Sequence, residues 1–147
     1  MSERLQYLAW SDIPPEQLNP LLSRQFVTGS QAMLSRIQLT KGCIVPWHSH
    51  PNEQIVFILS GILRFTVGEE SSEKHVYDVH GGETLVIPGN VPHMAEALED
   101  TDNLAIFAPT DRGKAELKAG STKLSTANTC SAPVVGLIAT RRRSAHL

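Results

Sequence analysis

The stretch GCIVPWHSHPNEQIVFILSGILRFTV, residues 42–67, carries most of the information about the fold. Within it, residues 54–60 and 62–67 are two runs rich in β-branched and aromatic side chains, and Gly61 separates them. Runs of this kind, bounded by a turn residue, are typical of consecutive β-strands. The stretch therefore predicts two strands that follow each other directly.

Similar short runs lie on both sides of this stretch. They predict further strands at 31–40, 75–79, 83–87, 93–99 and 103–109. Turn residues separate the runs, as in PGNVP at 88–92, and no long amphipathic helix interrupts them. This spacing predicts an all-β sandwich or barrel. Before Gln31 we expect a short irregular N-terminus, in which PPEQL (14–18) starts a helical turn.

The composition excludes several classes of protein. A length of 147 residues suits one domain. No apolar run reaches the roughly 18 residues that a membrane span needs, so we expect no membrane partner. Aromatic residues make up only 5%, which argues against a nucleic-acid surface built on base stacking. The first twenty residues lack the apolar core of a signal peptide and there are only two cysteines, so we expect a cytoplasmic protein.

Charge divides the chain into two parts. Residues 1–110 carry a net charge of −7, and residues 111–147 carry +5. We predict a single β-barrel domain over residues 1–112, followed by a basic, Ser/Thr-rich tail over 113–147. The tail contains the apolar run PVVGLIAT (133–140), so it is expected either to be disordered or to add a strand at a sheet edge.

Residues with metal-binding chemistry cluster at the start of the same stretch. His48, His50 and Gln54 are all at even positions, so an extended chain would direct them to one face. His93, just after the PGNVP turn, adds a third imidazole. Three imidazoles and an amide oxygen suit one divalent transition metal, which can be Mn, Fe, Co, Ni, Cu or Zn. The predicted metal ligands are therefore His48, His50, Gln54 and His93.

Two motifs with fixed spacing strengthen this interpretation. The first reads G-x5-H-x-H-x3,4-E-x6-G, and the chain matches it with Gly42, His48, His50, Gln54 in the glutamate position, and Gly61. The second reads G-x5-P-x-G-x2-H-x3-N, and the chain matches it with Gly82, Pro88, Asn90 in the glycine position, His93, and Ala97 in the asparagine position.

In order and spacing, these motifs resemble those of the small single-domain cupins of the jelly-roll type. The resemblance covers roughly residues 30–109 and implies a double-stranded β-helix with a divalent metal in the barrel mouth. By position, it implies the same four ligands. It also implies a small-molecule substrate or ligand.

Gln54 departs from the family pattern and changes the expected chemistry. An amide leaves a divalent site at +2, where a carboxylate would lower it to +1. The metal at +2 is the stronger Lewis acid. It favours isomerase or lyase chemistry on a small polar organic molecule, such as a sugar acid or a keto/enol compound. Two alternatives stay open: a metal-dependent dioxygenase of the cupin type, and a non-catalytic cupin that binds a small ligand.

The form H-x-H-P-x-x-Q is most similar to small cupins that linearise unsaturated uronates in pectin breakdown. Those proteins end their last barrel strand with a stretch like L-D-V-F-x-P-x-R, whose Asp and Arg serve the substrate. Here Ala105 stands in the Asp position and Asp111 in the Arg position. The metal motif therefore matches that group but the acid/base partners do not, and no catalytic residue is assigned.

Other polar and aromatic residues near the motifs are expected to be structural. Glu96 follows His93 by three residues, but strand alternation places it on the opposite face. His75 and His80 match no motif position, and Trp47 is expected in the barrel wall. Because small jelly rolls leave strand edges and apolar faces exposed, we expect a homodimer, with residues 134–139 crossing to the partner.

Overall fold

The computed structural model describes residues 5–69 and 71–110, and the structural statements below concern those residues. They form one short 3₁₀ turn, Trp10–Asp12, and ten strands. The strands are β1 Glu16–Asn19, β2 Leu22–Thr28, β3 Met33–Leu39, β4 Ile44–His48, β5 Glu53–Ser60, β6 Ile62–Val67, β7 His75–His80, β8 Thr84–Ile87, β9 His93–Ala97 and β10 Thr101–Ala108.

The strands pair into two antiparallel sheets. One has six strands in the order β1-β2-β3-β10-β5-β8, and the other has four in the order β4-β9-β6-β7. From β3 onward the chain leaves each sheet after one or two strands and re-enters the other, so β5 and β6 lie in different sheets although only Gly61 separates them. This is the jelly-roll topology. The predicted all-β jelly roll is confirmed.

The core lies between the two sheets because each strand alternates inward and outward side chains. In β3, for example, Met33, Ile37 and Leu39 are buried, whereas Gln38 is exposed. In β5, Val56 and Ile58 are fully buried. The alternation seen in the sequence therefore fixes which face of each strand meets the opposite sheet.

The N-terminal segment differs from the expectation. Residues 14–18 do not start a helical turn, because β1 begins at Glu16 and β2 follows it. β1 pairs only with β2, and the short 3₁₀ turn lies before Pro14. A strand that starts directly after proline is compatible with a sheet edge, where no ladder hydrogen bond is needed from the proline. The segment extends the six-stranded sheet instead of remaining irregular.

The chain leaves the barrel after β10. The backbone N–H of Thr110 donates a hydrogen bond of 2.9 Å to the carbonyl oxygen of Gln31. The predicted tail at 113–147, and its apolar run at 133–140, lie outside the described residues. Within the described part of the chain, no helix is long and apolar enough to cross a membrane.

Gly61 makes the tight connection between β5 and β6, and its geometry yields a test. Its φ of 89° lies in the left-handed region, and a Cβ there would overlap the carbonyl oxygen of Asp100 and lie 2.8 Å from Thr101 Cα. We expect Gly61→Ala to lower the free energy of unfolding by about 2–4 kcal/mol, because strain and backbone overlap add together. Urea denaturation measures this.

Gly42 provides the matched control. Its φ of 87° is nearly the same, but nothing lies within 4 Å of its Cβ position. Gly42→Ala should therefore cost only the left-handed strain of about 1–2 kcal/mol. Equal losses in the two variants would contradict the close approach between Gly61 and the β9–β10 turn.

Candidate metal centre

Three imidazole rings converge at one end of the barrel. His48 ends β4, His93 begins β9, and these two residues are direct partners in the antiparallel ladder. His50 lies two residues beyond β4, in the connection to β5. The ring centroids of His48 and His93 are 4.3 Å apart, and that of His50 lies 5.2 Å from His93. One ring nitrogen from each residue lies within 4.8 Å of the others, which is a grouping able to hold one metal ion.

A β-bulge directs His48 into the barrel. Val45 and His48 are three residues apart, so a regular strand would send them to opposite faces. The register of β4 against β9 shifts between these two residues. Such a shift adds residues to one strand and re-aims the next side chain. His48 consequently shares the inner face with Val45, while Trp47 is 38% exposed, with Lys74 Nζ 5.0 Å from its ring centroid.

Contacts between loops fix the position of His50. Its carbonyl oxygen accepts a hydrogen bond of 2.7 Å from the backbone N–H of Asn90. Asn90 has a φ of 64°, the left-handed conformation that explains why the motif prefers glycine and why asparagine also serves there. The side chain of Asn52 donates from Nδ2 to the carbonyl oxygen of Pro109. The turn before β9 and the end of β10 therefore both hold the loop that carries His50.

Main-chain carbonyls fix the tautomer of all three rings. Each Nδ1 lies within hydrogen-bond distance of a nearby carbonyl oxygen, and because a carbonyl only accepts, each Nδ1 must carry the proton. In a neutral ring Nε2 then keeps its lone pair, which is the usual arrangement of a metal-binding histidine. The pairs are His48 with Pro46 at 2.7 Å, His50 with Asn52 at 2.9 Å and His93 with Val91 at 2.8 Å.

The surroundings also keep the rings neutral. Burial, and after it the repulsion from the neighbouring His48, lower the pKa of His93 to about 4. Burial likewise lowers the pKa of His48 and of His50 below the usual value for histidine. Neutral imidazole is the form that binds a metal, so the rings are ready to coordinate at neutral pH without losing a proton.

The atoms inside the cluster fit a cation. His93 Nε2 is buried and has no hydrogen-bond partner, which is costly for a polar atom. Gln54 Oε1 lies 3.1 Å from His50 Nε2, although an amide oxygen and an unprotonated ring nitrogen are both acceptors. Either the amide turns to donate from its NH₂ group, or a cation shared by the two atoms removes the conflict. A cation would also satisfy His93, so the residues fit a metal.

The cluster opens into a small cavity of about 40 Å³. His48, Gln54 and His93 line its polar side, and the other walls are mainly apolar, including Phe65 and Phe107. Since one water needs about 10–15 Å³, the space suits a few small ligand atoms. Typical pockets for larger organic ligands measure about 300–1,000 Å³.

The polar residues that were expected to be structural, Glu96, His75 and His80, lie away from the cluster. Glu96 lies between the inward-facing Ala95 and Ala97 on β9, as alternation predicts. His75 and His80 are exposed on β7. Phe107 is fully buried and its ring centroid is 5.6 Å from that of His50, so it belongs both to the core and to the cavity wall.

Two polar residues at the centre were not identified from the sequence. Asn103 lines the cavity from β10, and its Nδ2 donates to the carbonyl oxygen of Ile37. An asparagine at an inward position between Thr101 and Ala105 is a signal that alternation alone could have revealed. Asn52 offered no such signal, since it lies in a loop and acts through the contacts of that loop with Pro109 and His50.

The depressed pKa values predict how the metal-free protein responds to pH. Unfolded histidine takes up a proton near pH 6.5, whereas folded His93 does so only near pH 4. The stability that the neutral His93 contributes is therefore fully present above pH 6.5 and is lost as the pH falls toward 4. The free energy of unfolding of the parent protein should be lower at pH 4.5 than at pH 7.5. We expect His93→Gln to reduce this difference by about 2–3 kcal/mol. Urea denaturation at the two pH values, with chelator present, measures it.

The exposed His75 supplies the control for this measurement. His75→Gln removes one histidine from the same barrel but leaves the buried cluster intact. It should preserve the pH dependence of the parent protein. An unchanged pH dependence in His93→Gln would contradict the buried, neutral state of that ring.

Comparison with known proteins identifies the family. The family model described as "Cupin domain" matches residues 35–108, which is half of the chain. No curated protein sequence matches the chain. Among solved structures, an RmlC-like cupin from Shewanella frigidimarina has a TM-score of 0.66 and 18% identity, over 76% of this chain and 97% of that one.

A second similar structure is a variant of oxalate decarboxylase from Bacillus subtilis, with a TM-score of 0.64 and 21% identity over 69% of this chain. Another structure of that enzyme is described by its Mn(II) centres. The present chain spans only 29% of the length of oxalate decarboxylase, and at this identity the likeness concerns the fold. The jelly roll, the cluster of three histidines and the match over residues 35–108 together place this chain in the cupin family.

Proposed function

We propose that this cupin uses His48, His50, His93 and Gln54 to hold one divalent transition metal and acts as an enzyme on a small polar organic molecule. The observation that carries the proposal is the set of three imidazoles whose Nδ1 protons are all committed to main-chain carbonyls. Their Nε2 atoms are left for a cation, and that of His93 is buried without any other partner. The cytoplasmic location stays a prediction from the sequence.

The residues of the chain divide the work at this centre. The imidazoles and the Gln54 oxygen hold the ion, while Phe65 and Phe107 keep bulk water away from it. When bound, the metal supplies Lewis-acid polarisation of a carbonyl or hydroxyl oxygen, or a lower pKa for a bound water. His48 is only partly buried, so the substrate enters from its side of the cluster.

The cavity favours a keto/enol compound over a sugar acid. A space of about 40 Å³ encloses a few ligand atoms, not a six-membered sugar ring. Ala105, in the position where uronate-linearising cupins carry an acidic residue, is fully buried and offers no acid/base group. We therefore propose isomerase or lyase chemistry on a small oxygenated substrate, with Mn among the candidate metals.

Metal analysis is the first test of the proposal. The purified protein, after incubation with a divalent transition metal and desalting, should retain about one ion per chain. His93→Gln should lower the metal affinity at least about 10–100-fold, because it removes a buried ring nitrogen that has no other partner. Elemental analysis and a chelator competition assay measure both quantities.

His75→Gln should keep the parent stoichiometry, since His75 lies outside the cluster. No retained metal in the parent protein would overturn the proposal. With metal bound, an oxygen electrode separates the two enzymatic alternatives: oxygen uptake with an enol substrate identifies a dioxygenase, and turnover without it supports Lewis-acid chemistry. Ligand-induced stabilisation without turnover would identify a binding module instead.

We also propose that the chain forms a homodimer through the outer face of the six-stranded sheet. Exposed apolar side chains gather there, notably Phe57, Leu59, Val86 and Ile106. The ladder makes several of them neighbours, since Ile106 pairs with Ile55 and Ile55 with Val86. An apolar face of this kind on a soluble fold is typical of an interaction surface, and a twofold axis would let it cover itself.

A matched pair of valines tests this surface. Val86 is 52% exposed on the six-stranded sheet, and Val76 is 56% exposed on the four-stranded sheet. We expect Val86→Lys to convert a dimer into a monomer in light scattering, because a lysine would be buried in the contact. Val76→Lys should leave the dimer intact. A monomeric parent protein, or equal effects of both substitutions, would contradict the proposed interface.

A further inference from the structure

The donor atoms of the metal centre carry no charge. Each imidazole carries its proton on Nδ1, which donates to a main-chain carbonyl oxygen, so the Nε2 that would bind the ion brings only a lone pair. The fourth donor is the amide oxygen of Gln54, which stands where the cupin motif has a glutamate. A divalent ion held by these four groups would keep its full charge of +2.

The walls around the ion do not compensate this charge either. Among the residues that the structure describes, those lining the cavity include no aspartate, glutamate, lysine or arginine. Glu53 is adjacent to Gln54 in sequence, but it is exposed and points away because the strand alternates. Glu96 occupies the outer face of β9 beside Arg64. An uncompensated divalent charge in such a place is unfavourable.

We propose that the centre is completed by a small anion, and that the substrate is a carboxylate or enolate of a few atoms that binds through its negative oxygen. This inference rests on the proposed metal site and adds the substrate class. A ketone or alcohol that stays neutral would leave the charge of the ion unbalanced, whereas an anionic oxygen compensates half of it. The size limit comes from the cavity of about 40 Å³.

Gln54 is then a specificity-determining residue. A glutamate at this position would place a negative charge among the ligands and compete electrostatically with any anion. The amide contributes an oxygen donor of nearly the same shape without that charge. The departure from the family motif therefore selects for anionic ligands at the remaining coordination positions.

Anion titration of the Co²⁺-loaded protein, followed by its visible absorption spectrum, tests the inference. We expect formate and azide to shift the spectrum of the parent protein, and formamide, a neutral molecule of the size of formate, to have no effect at the same concentration. Gln54→Glu should weaken formate binding by about tenfold or more, because one added negative charge lies within a few ångströms of the anion.

Gln38→Glu is the matched control, since it is the same substitution on the exposed outer face of β3. It should leave the formate affinity unchanged. Equal binding of formate and formamide by the parent, or equal formate affinity in Gln54→Glu and the parent, would overturn the inference. So would a Co²⁺-loaded protein that binds no anion, although the metal site would then stand. Failure to bind Co²⁺ at all would overturn the proposed function itself.

Discussion

The convergence of three imidazole rings, two of them buried and His48 half-buried, is the constraint on which the arrangement of the site depends. A buried ring must be neutral, and each of its two nitrogens needs a partner. The carbonyl oxygens of Pro46, Asn52 and Val91 satisfy the three Nδ1 protons. Each carbonyl lies two residues from its histidine, so the local backbone conformation sets the orientation of each ring. The lone pairs on the three Nε2 atoms then remain, and only a cation or a hydrogen-bond donor can satisfy them.

The backbone around the site is built to hold these orientations. Gly89 approaches the carbonyl oxygen of Pro51 so closely that a Cβ would overlap it, and the next residue, Asn90, hydrogen-bonds to His50. Asn52 connects the same loop to Pro109 at the end of β10. The loops before β5 and β9 and the end of β10 therefore lock together around His50. A site held by backbone contacts from three segments keeps its geometry whether or not a ligand is present.

The sequence predicted β3 because it alternates between apolar and polar positions, and it predicted β5 to β10 as short apolar runs separated by turn residues. It did not predict β4, whose bulge at Pro46 and Trp47 breaks the alternation that simple periodicity detects. The bulge, and not the simple alternation that we expected, turns the side chain of His48 toward the cavity. Equal parity of His48 and His50 presumed one extended strand, but His50 lies beyond the end of β4. The motif spacing still identified these residues, because it covers β4 together with the loop that carries His50.

Other features could not be read from the sequence for physical reasons. β1 follows two prolines, and β1 and β2 mix polar and apolar residues, so local preference favoured a helical turn at 14–18. The pairing of β1 with β2, and of β2 with β3, decides the outcome instead. Arg24 shows this most clearly: it is inward-facing and 3% exposed, and it pairs with Glu16 across the β1–β2 ladder. A charged residue at an inward position conceals the alternation of β2. Its partner lies eight residues away on another strand, so only the tertiary structure reveals it.

The chemistry of the site follows from what the cavity lacks as well as from what it contains. In the described part of the chain, the imidazoles are the only titratable groups that line it, and their Nδ1 protons are committed to carbonyl oxygens. Proton transfer in the cavity must therefore involve water or the substrate itself. An ionisable substrate that binds as an anion brings its own acid/base chemistry to the metal. Three features of the site agree with this: the ligands are neutral, the cavity is small, and Ala105 offers no acidic group. Together they favour a small, acidic, oxygenated substrate. A sugar acid would need protein groups to move its protons.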